Sequence, residues 1–146
     1  MKQSWSDFAL AEPELSAFGE ARLKAGPAYL ATVRAEGLPR VHPVTPIIGE
    51  GHLFLFMEPT SPKGHDLQRG SGCALHCWVR SNDGGEGEFW LLGHASLNDD
   101  PAMRALAATY GYEPQDNYIL FELTVESAFS TIYTDTGAPI RKRWTG

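Results

Sequence analysis

Residues 60–63, Thr-Ser-Pro-Lys, follow the apolar run "HLFLFMEP" and open what reads as a short helix over residues 61–69. Ser61 suits the N-cap and Pro62 the first helical position, with Asp66 and Leu67 continuing the turn. A helix start leaves N–H groups unpaired at the positive end of the helix dipole. Hydroxyls from Thr60 and Ser61 and the Lys63 ammonium would complete an anion cradle, with phosphate the natural occupant. The same four residues also describe an ordinary capped surface helix with a solvated lysine. Arg40 opens the run "RVHPVTPII", and an antiparallel return through "HLFLFME" would carry Lys63 back beside it. Pro43 and Pro46 lack an N–H, so this run reads as an edge strand or bulge whose free backbone groups could meet the polar rim of a flat heteroaromatic ligand.

Other chemistries are poorly represented. His42, His52, His65, His76 and His94 form no i, i+4 helical pair and have no Cys-x-x-Cys companion, so no metal site is expected, although one exposed histidine would suffice for haem. No Gly-x-Ser-x-Gly elbow is present, and "SNDGGEGE" lacks the strand-to-helix setting of a dinucleotide loop. Cys73 and Cys77 fall on one face of a strand about 13 Å apart, too far to bridge each other. They read as two buried thiols.

The elements that must position these groups follow from periodicity. Leu15, Phe18, Arg22 and Leu23 mark a first helix starting near Pro13 and ending at Gly26-Pro27. Three β-rich runs follow, punctuated by Glu36-Gly37 and Gly49-Glu50-Gly51. After the short helix come the strands "CALHCWV" and "FWLLGHASL" around a polar loop. A helix capped by Asp99 or Asp100 with Pro101 next then carries the stripe Met103, Leu106, Ala107 and Tyr110 to its end at Gly111. "NYILFELTVESAFSTIY" supplies one long strand or two joined by a bend, before the basic end "IRKRWTG".

Hairpin-length connections cannot join parallel strands, so the fold expected is mainly β, a six-stranded antiparallel barrel with three helices packed outside it. One domain over residues 1–146 is expected: a helical segment at 1–26, the barrel at 27–134 and a basic tail at 135–146. Length and a 42% hydrophobic composition suffice for one core. A net charge of −6 argues against nucleic acid as a partner. No apolar run is long enough to span a bilayer and the N-terminus lacks a signal-peptide pattern, so no membrane partner and a cytoplasmic location are expected.

Three motifs, in this order and spacing, resemble the pyridoxamine 5′-phosphate oxidase-like, flavin-binding split-barrel family: "AYLATVRAEGLPRVHPV", "HLFLFMEPTSPKGHDLQ" and "GEFWLLGHASLNDDPAMRAL". The resemblance covers most of the chain from about Pro27. It implies FMN at a homodimer interface, phosphate held by Arg40, Ser61 and Lys63, and a ring lined by residues 41–45 (Val41, His42, Val44 and Thr45 among them) and by Phe56 and Met57. Glu88 stands where the oxidase usually has Gln. Arg141 or Arg143 would reach the phosphate, with Trp144 on the partner subunit and Trp5 and Phe8 at the dimer contact. Pro62 replaces a second cation of the oxidase, and the oxidase's C-terminal Arg-x-His is missing, so vitamin B6 oxidation is not expected. The resemblance implies hydride transfer between the flavin and a small organic substrate with no catalytic side chain. A deazaflavin coenzyme, served by a channel of Arg34, Arg40, Lys63 and Arg69, or a non-catalytic flavin or haem sensor are the alternatives.

Overall fold

Ser4 caps a first helix that periodicity did not reveal. Its hydroxyl accepts from the Asp7 N–H while the Asp7 carboxylate accepts from the Ser4 N–H, a reciprocal capping box that starts α1 (Trp5–Ala11). α2 (Pro13–Lys24) follows at once, with Pro13 in its first turn as expected. The computed structural model describes residues 2–146; residue 1 lies outside them. The chain continues through β1 (Ala28–Val33), β2 (Pro39–Val44), β3 (Ile47–Gly49), β4 (His52–Met57), α3 (Pro62–Gln68), β5 (Cys73–His76), β6 (Glu88–Gly93), β7 (Ala95–Leu97), α4 (Pro101–Tyr110), β8 (Ile119–Leu123), β9 (Ser127–Tyr133) and β10 (Pro139–Thr145).

All strand pairings are antiparallel, in a six-stranded sheet ordered β10-β9-β6-β5-β1-β2 and a four-stranded sheet ordered β3-β4-β8-β7. The fold is the expected mainly β split barrel. Two runs that read as continuous strands change sheet partway, at Thr45-Pro46 and at His94, and "NYILFELTVESAFSTIY" is two strands joined by a bend at residues 124–126, one in each sheet. These breaks are the barrel's corners, where a strand leaves one sheet for the other. At one corner the Gly93 backbone packs so closely that an added Cβ would lie 1.8 Å from the Thr124 carbonyl oxygen. The return to Lys63 therefore runs differently from the expected hairpin: β4 pairs with β3 and β8, while β2 pairs with β1.

The core lies between the sheets, around Leu30, Leu53, Leu55, Leu75, Phe89, Leu91 and Phe121. Two expectations about the ends are corrected here. Trp5 and Phe8 do not await a partner: they are buried in the chain's own core, Phe8 at 5.0 Å from the Trp144 ring. The tail does not fray into solvent, because residues 139–145 form β10 on β9 and Trp144 turns inward against Phe8.

Candidate functional site

β2 is the last strand of its sheet, so among the described residues its outer edge has no strand partner, and Pro39 and Pro43 withhold two of its donors. Against this edge lies a cleft of about 660 Å³, within the ordinary range for a small-molecule site. The edge strand and its exit supply Arg40, Val41, His42, Val44 and Thr45; the end of β4 supplies Phe56 and Met57; the start of α3 supplies Ser61 and Lys63. Nine expected residues thus meet in one place, although they come from two sheets and a helix. Thr60 is exposed and does not line the cleft.

Ser61 takes the N-cap position but does not cap. Its hydroxyl makes no bond to the helix backbone and accepts instead from the Lys63 ammonium at 2.9 Å. Burial lowers the Lys63 pKa, and the neighbouring Glu58 carboxylate, also on the cleft wall, opposes that shift. An incoming anion would favour the ammonium further.

Arg40 is held from behind. Its Nε donates at 2.9 Å to Asp66 Oδ2, which also accepts from the Thr32 hydroxyl at 2.7 Å, and Arg69 donates to the other carboxylate oxygen. Asp66 is 1% exposed. Burial pushes its carboxyl up, but the bonds from Arg40, Thr32 and Arg69, with the Arg40 charge, outweigh burial and leave it lowered. Among the described residues neither Nη nitrogen of Arg40 has a hydrogen-bond partner, and Arg40 lines the cleft wall.

The opposite wall is aromatic. Tyr112 meets Phe56 edge-on at 5.6 Å, and Tyr118 stands beside it. Arg104 fastens this wall: its guanidinium lies 5.4 Å from the Phe56 ring centre and donates to the Tyr118 and Gln115 carbonyls. Sequence reasoning missed Asp66, Glu58, Tyr112 and Tyr118. An acid on the inward side of α3, one residue from buried Leu67, was the available sign for Asp66; nothing local marks the two tyrosines.

Three expected residues are elsewhere within the chain. Glu88 begins β6, pairs with His76 Nε2 at 3.2 Å and lines a separate pocket beside residues 79–84. His76 is pushed up to about 9, first by its interaction with the Cys77 side chain and then by the Cys77 carbonyl and Glu88, against the effect of burial. Arg141 and Arg143 lie on β10, at the opposite edge of the six-stranded sheet from β2, with Arg143 6.0 Å from the Phe129 ring centre.

No protein-family model matches the chain, and no curated protein matches it. Solved structures do. A Clostridium acetobutylicum protein related to general stress protein 26, of the pyridoxinephosphate oxidase family, superimposes with a TM-score of 0.61 at 15% identity over 94% of each chain. PhzG from Burkholderia lata, solved with tetrahydrophenazine-1-carboxylic acid, gives 0.66 at 14% identity over 97% of this chain and 87% of its own. A haem-binding protein from Mycobacterium smegmatis gives 0.67 at 20% identity over 88% of this chain, which spans 57% of that protein. These similarities establish the fold.

Proposed function

From its pyridoxamine 5′-phosphate oxidase-like split-barrel fold and the cleft beside its open strand edge, we propose that this chain binds FMN and serves as an oxidoreductase toward a small organic substrate. The observation that carries the reading is the convergence of Arg40 and Lys63, with the Ser61 hydroxyl, on a cleft bordered by an unpaired strand edge. Cations and a hydroxyl suit a phosphate monoester, while free backbone groups of β2 suit the polar rim of an isoalloxazine. FMN, when bound, supplies hydride acceptance and donation. The chain's own work is to grip the phosphate, orient the ring along residues 41–45 and keep water from one side with Phe56, Tyr112 and Tyr118.

A second copy completes the site in this reading. The outward face of the six-stranded sheet runs unbroken through the register-matched row Pro43, Tyr29, His76, Trp90, Phe129 and Arg143. Trp90 stacks on Phe129 at 4.1 Å, and Tyr29, Val33, Val41 and Leu92 are 40%, 46%, 67% and 38% exposed. So much outward apolar surface favours a homodimer through this face. Glu88, Arg141 and Arg143 share it, and a partner laid across would bring them toward the other copy's cleft. Two buried free thiols suit a reducing, cytoplasmic setting; among the described residues no helix is long and apolar enough to cross a membrane.

The deazaflavin alternative is less well served, since Arg34 pairs with Glu36 at 2.6 Å, and Arg40 and Arg69 share Asp66, so two carboxylates offset half of the four cations of the wide basic channel. Haem is a second reading with its own observation: His42 is exposed on the cleft wall and has no hydrogen-bond partner among the described residues. Absorption spectra of purified protein incubated with FMN or haemin distinguish the two. Retained flavin bands, bleached by NADH or NADPH and restored over repeated cycles, support the oxidoreductase; a Soret band alone supports haem; flavin retained without turnover supports a sensor.

A further inference from the structure

We infer that Asp66 is the positioning residue of the phosphate grip: it fixes the Arg40 guanidinium at the cleft wall with both Nη nitrogens free to donate, and thereby sets the preference for a phosphorylated over an unphosphorylated flavin. The inference rests on the FMN reading of that cleft.

The strand register builds this arrangement. Thr32 on β1 and Arg40 on β2 are direct cross-strand partners, so their side chains project from the same face of the sheet. α3 then lowers one carboxylate onto both, and Oδ2 accepts from Thr32 Oγ1 at 2.7 Å and from Arg40 Nε at 2.9 Å. Arg69, three residues beyond Asp66, takes Oδ1. A carboxylate with three donors cannot turn, and a guanidinium bonded through Nε has its plane and direction chosen for it. Arg40 is only partly buried, and without this bond its long side chain would spread over several rotamers in an open cleft. Asp66, shared with Arg69, offsets part of its charge, so what it offers a phosphate is chiefly two N–H donors on a fixed guanidinium.

Charge and position predict opposite signs, and that makes the inference testable. Replacing Asp66 by Asn removes a negative charge next to an anion site, which on electrostatics alone strengthens anion binding. If Asp66 acts by aiming Arg40, the same change weakens it. The experiment titrates the full-length chain with FMN and with riboflavin, following quenching of flavin fluorescence, for the wild type, Asp66→Asn and Thr32→Val. We expect Asp66→Asn to lower FMN affinity about tenfold, the scale of one charge-assisted hydrogen bond, with riboflavin affinity unchanged. Thr32→Val, which leaves every charge in place, is expected to lower the FMN-to-riboflavin preference about threefold through a looser carboxylate; it decides the matter if Asp66→Asn does not fold. An FMN preference that is unchanged or greater in Asp66→Asn, or unchanged in Thr32→Val when that variant alone folds, overturns the role of Asp66. A wild type that binds the two flavins equally overturns the cleft reading, and this inference with it.

Discussion

Replacing Lys63 by Met keeps an unbranched apolar stem as far as Cε and removes the ammonium. Asp66 is shared by Arg40 and Arg69 and offsets part of the Arg40 charge, so among the described residues Lys63 is the cleft cation with no carboxylate bonded to it, and on the FMN reading its loss falls directly on the phosphate. A charge-assisted hydrogen bond is worth about 1.5–3 kcal/mol. The Lys63 head is half-buried, and the cleft admits solvent, so the lower part of that range applies: about 1.5–2 kcal/mol, or roughly 10- to 30-fold in Kd. Two internal controls sharpen the test. Riboflavin has no phosphate, and its affinity should not move; raising the salt concentration should weaken FMN binding more in the wild type than in Lys63→Met, because the variant has one charge fewer to screen. Calorimetric titration of both proteins with both flavins reads all of this at once. Equal losses for FMN and riboflavin, or no loss for either, would refute the assignment of Lys63 to the phosphate.

Phe8→Ala should destabilise the fold by about 3–5 kcal/mol, lowering the melting temperature by about 9–15 °C, because Phe8 is fully buried against Trp5, Phe89 and Trp144; a change of only a degree or two would return it to the surface role first expected. Gly93→Ala places a methyl group against the Thr124 carbonyl oxygen at a barrel corner, where backbone must move, and a loss of about 3 kcal/mol in urea unfolding is expected. His76 should titrate in NMR spectra with a midpoint near 9, moved down by Glu88→Gln. Since its folded pKa lies above the unfolded value of 6.5, its contribution to stability is complete below about pH 6.5 and fades as the pH rises through about 9; half-exposure keeps that contribution small. A midpoint near 6.5 would contradict the pairing.

Most of the strands and three of the four helices are legible because their signals are local: β-rich apolar runs such as "AYLATV" and "HLFLFM" between turn residues, and Pro at the first position of α2, α3 and α4. The strand interruptions were harder. "FWLLGHASL" reads as one strand through His94, and only the closeness of Gly93 to Thr124, a contact between distant segments, shows why the chain must turn there. α1 is short and rests on the Ser4–Asp7 box and on a core that it meets only in three dimensions, so Trp5 and Phe8 looked like surface residues without a cover. β10 was mistaken for a basic tail because its outward residues are cationic while its inward anchor, Trp144, is a single indole. In the cleft, residues whose types suit an anion, Arg40, Ser61 and Lys63, are readable; Asp66, which bonds to Arg40 across 26 positions, and Tyr112, which meets the Phe56 ring, are not. Their roles arise from register and packing, which no window of sequence contains.

The central claim is that Arg40 and Lys63 jointly hold a phosphate monoester. A crystal structure of the protein grown with FMN tests it most directly. The account predicts the phosphate within hydrogen-bonding distance of the Arg40 Nη nitrogens and the Lys63 Nζ, with the ring along residues 41–45. FMN bound with its phosphate elsewhere, or a cleft closed by Glu58 reaching across to Lys63, would contradict it.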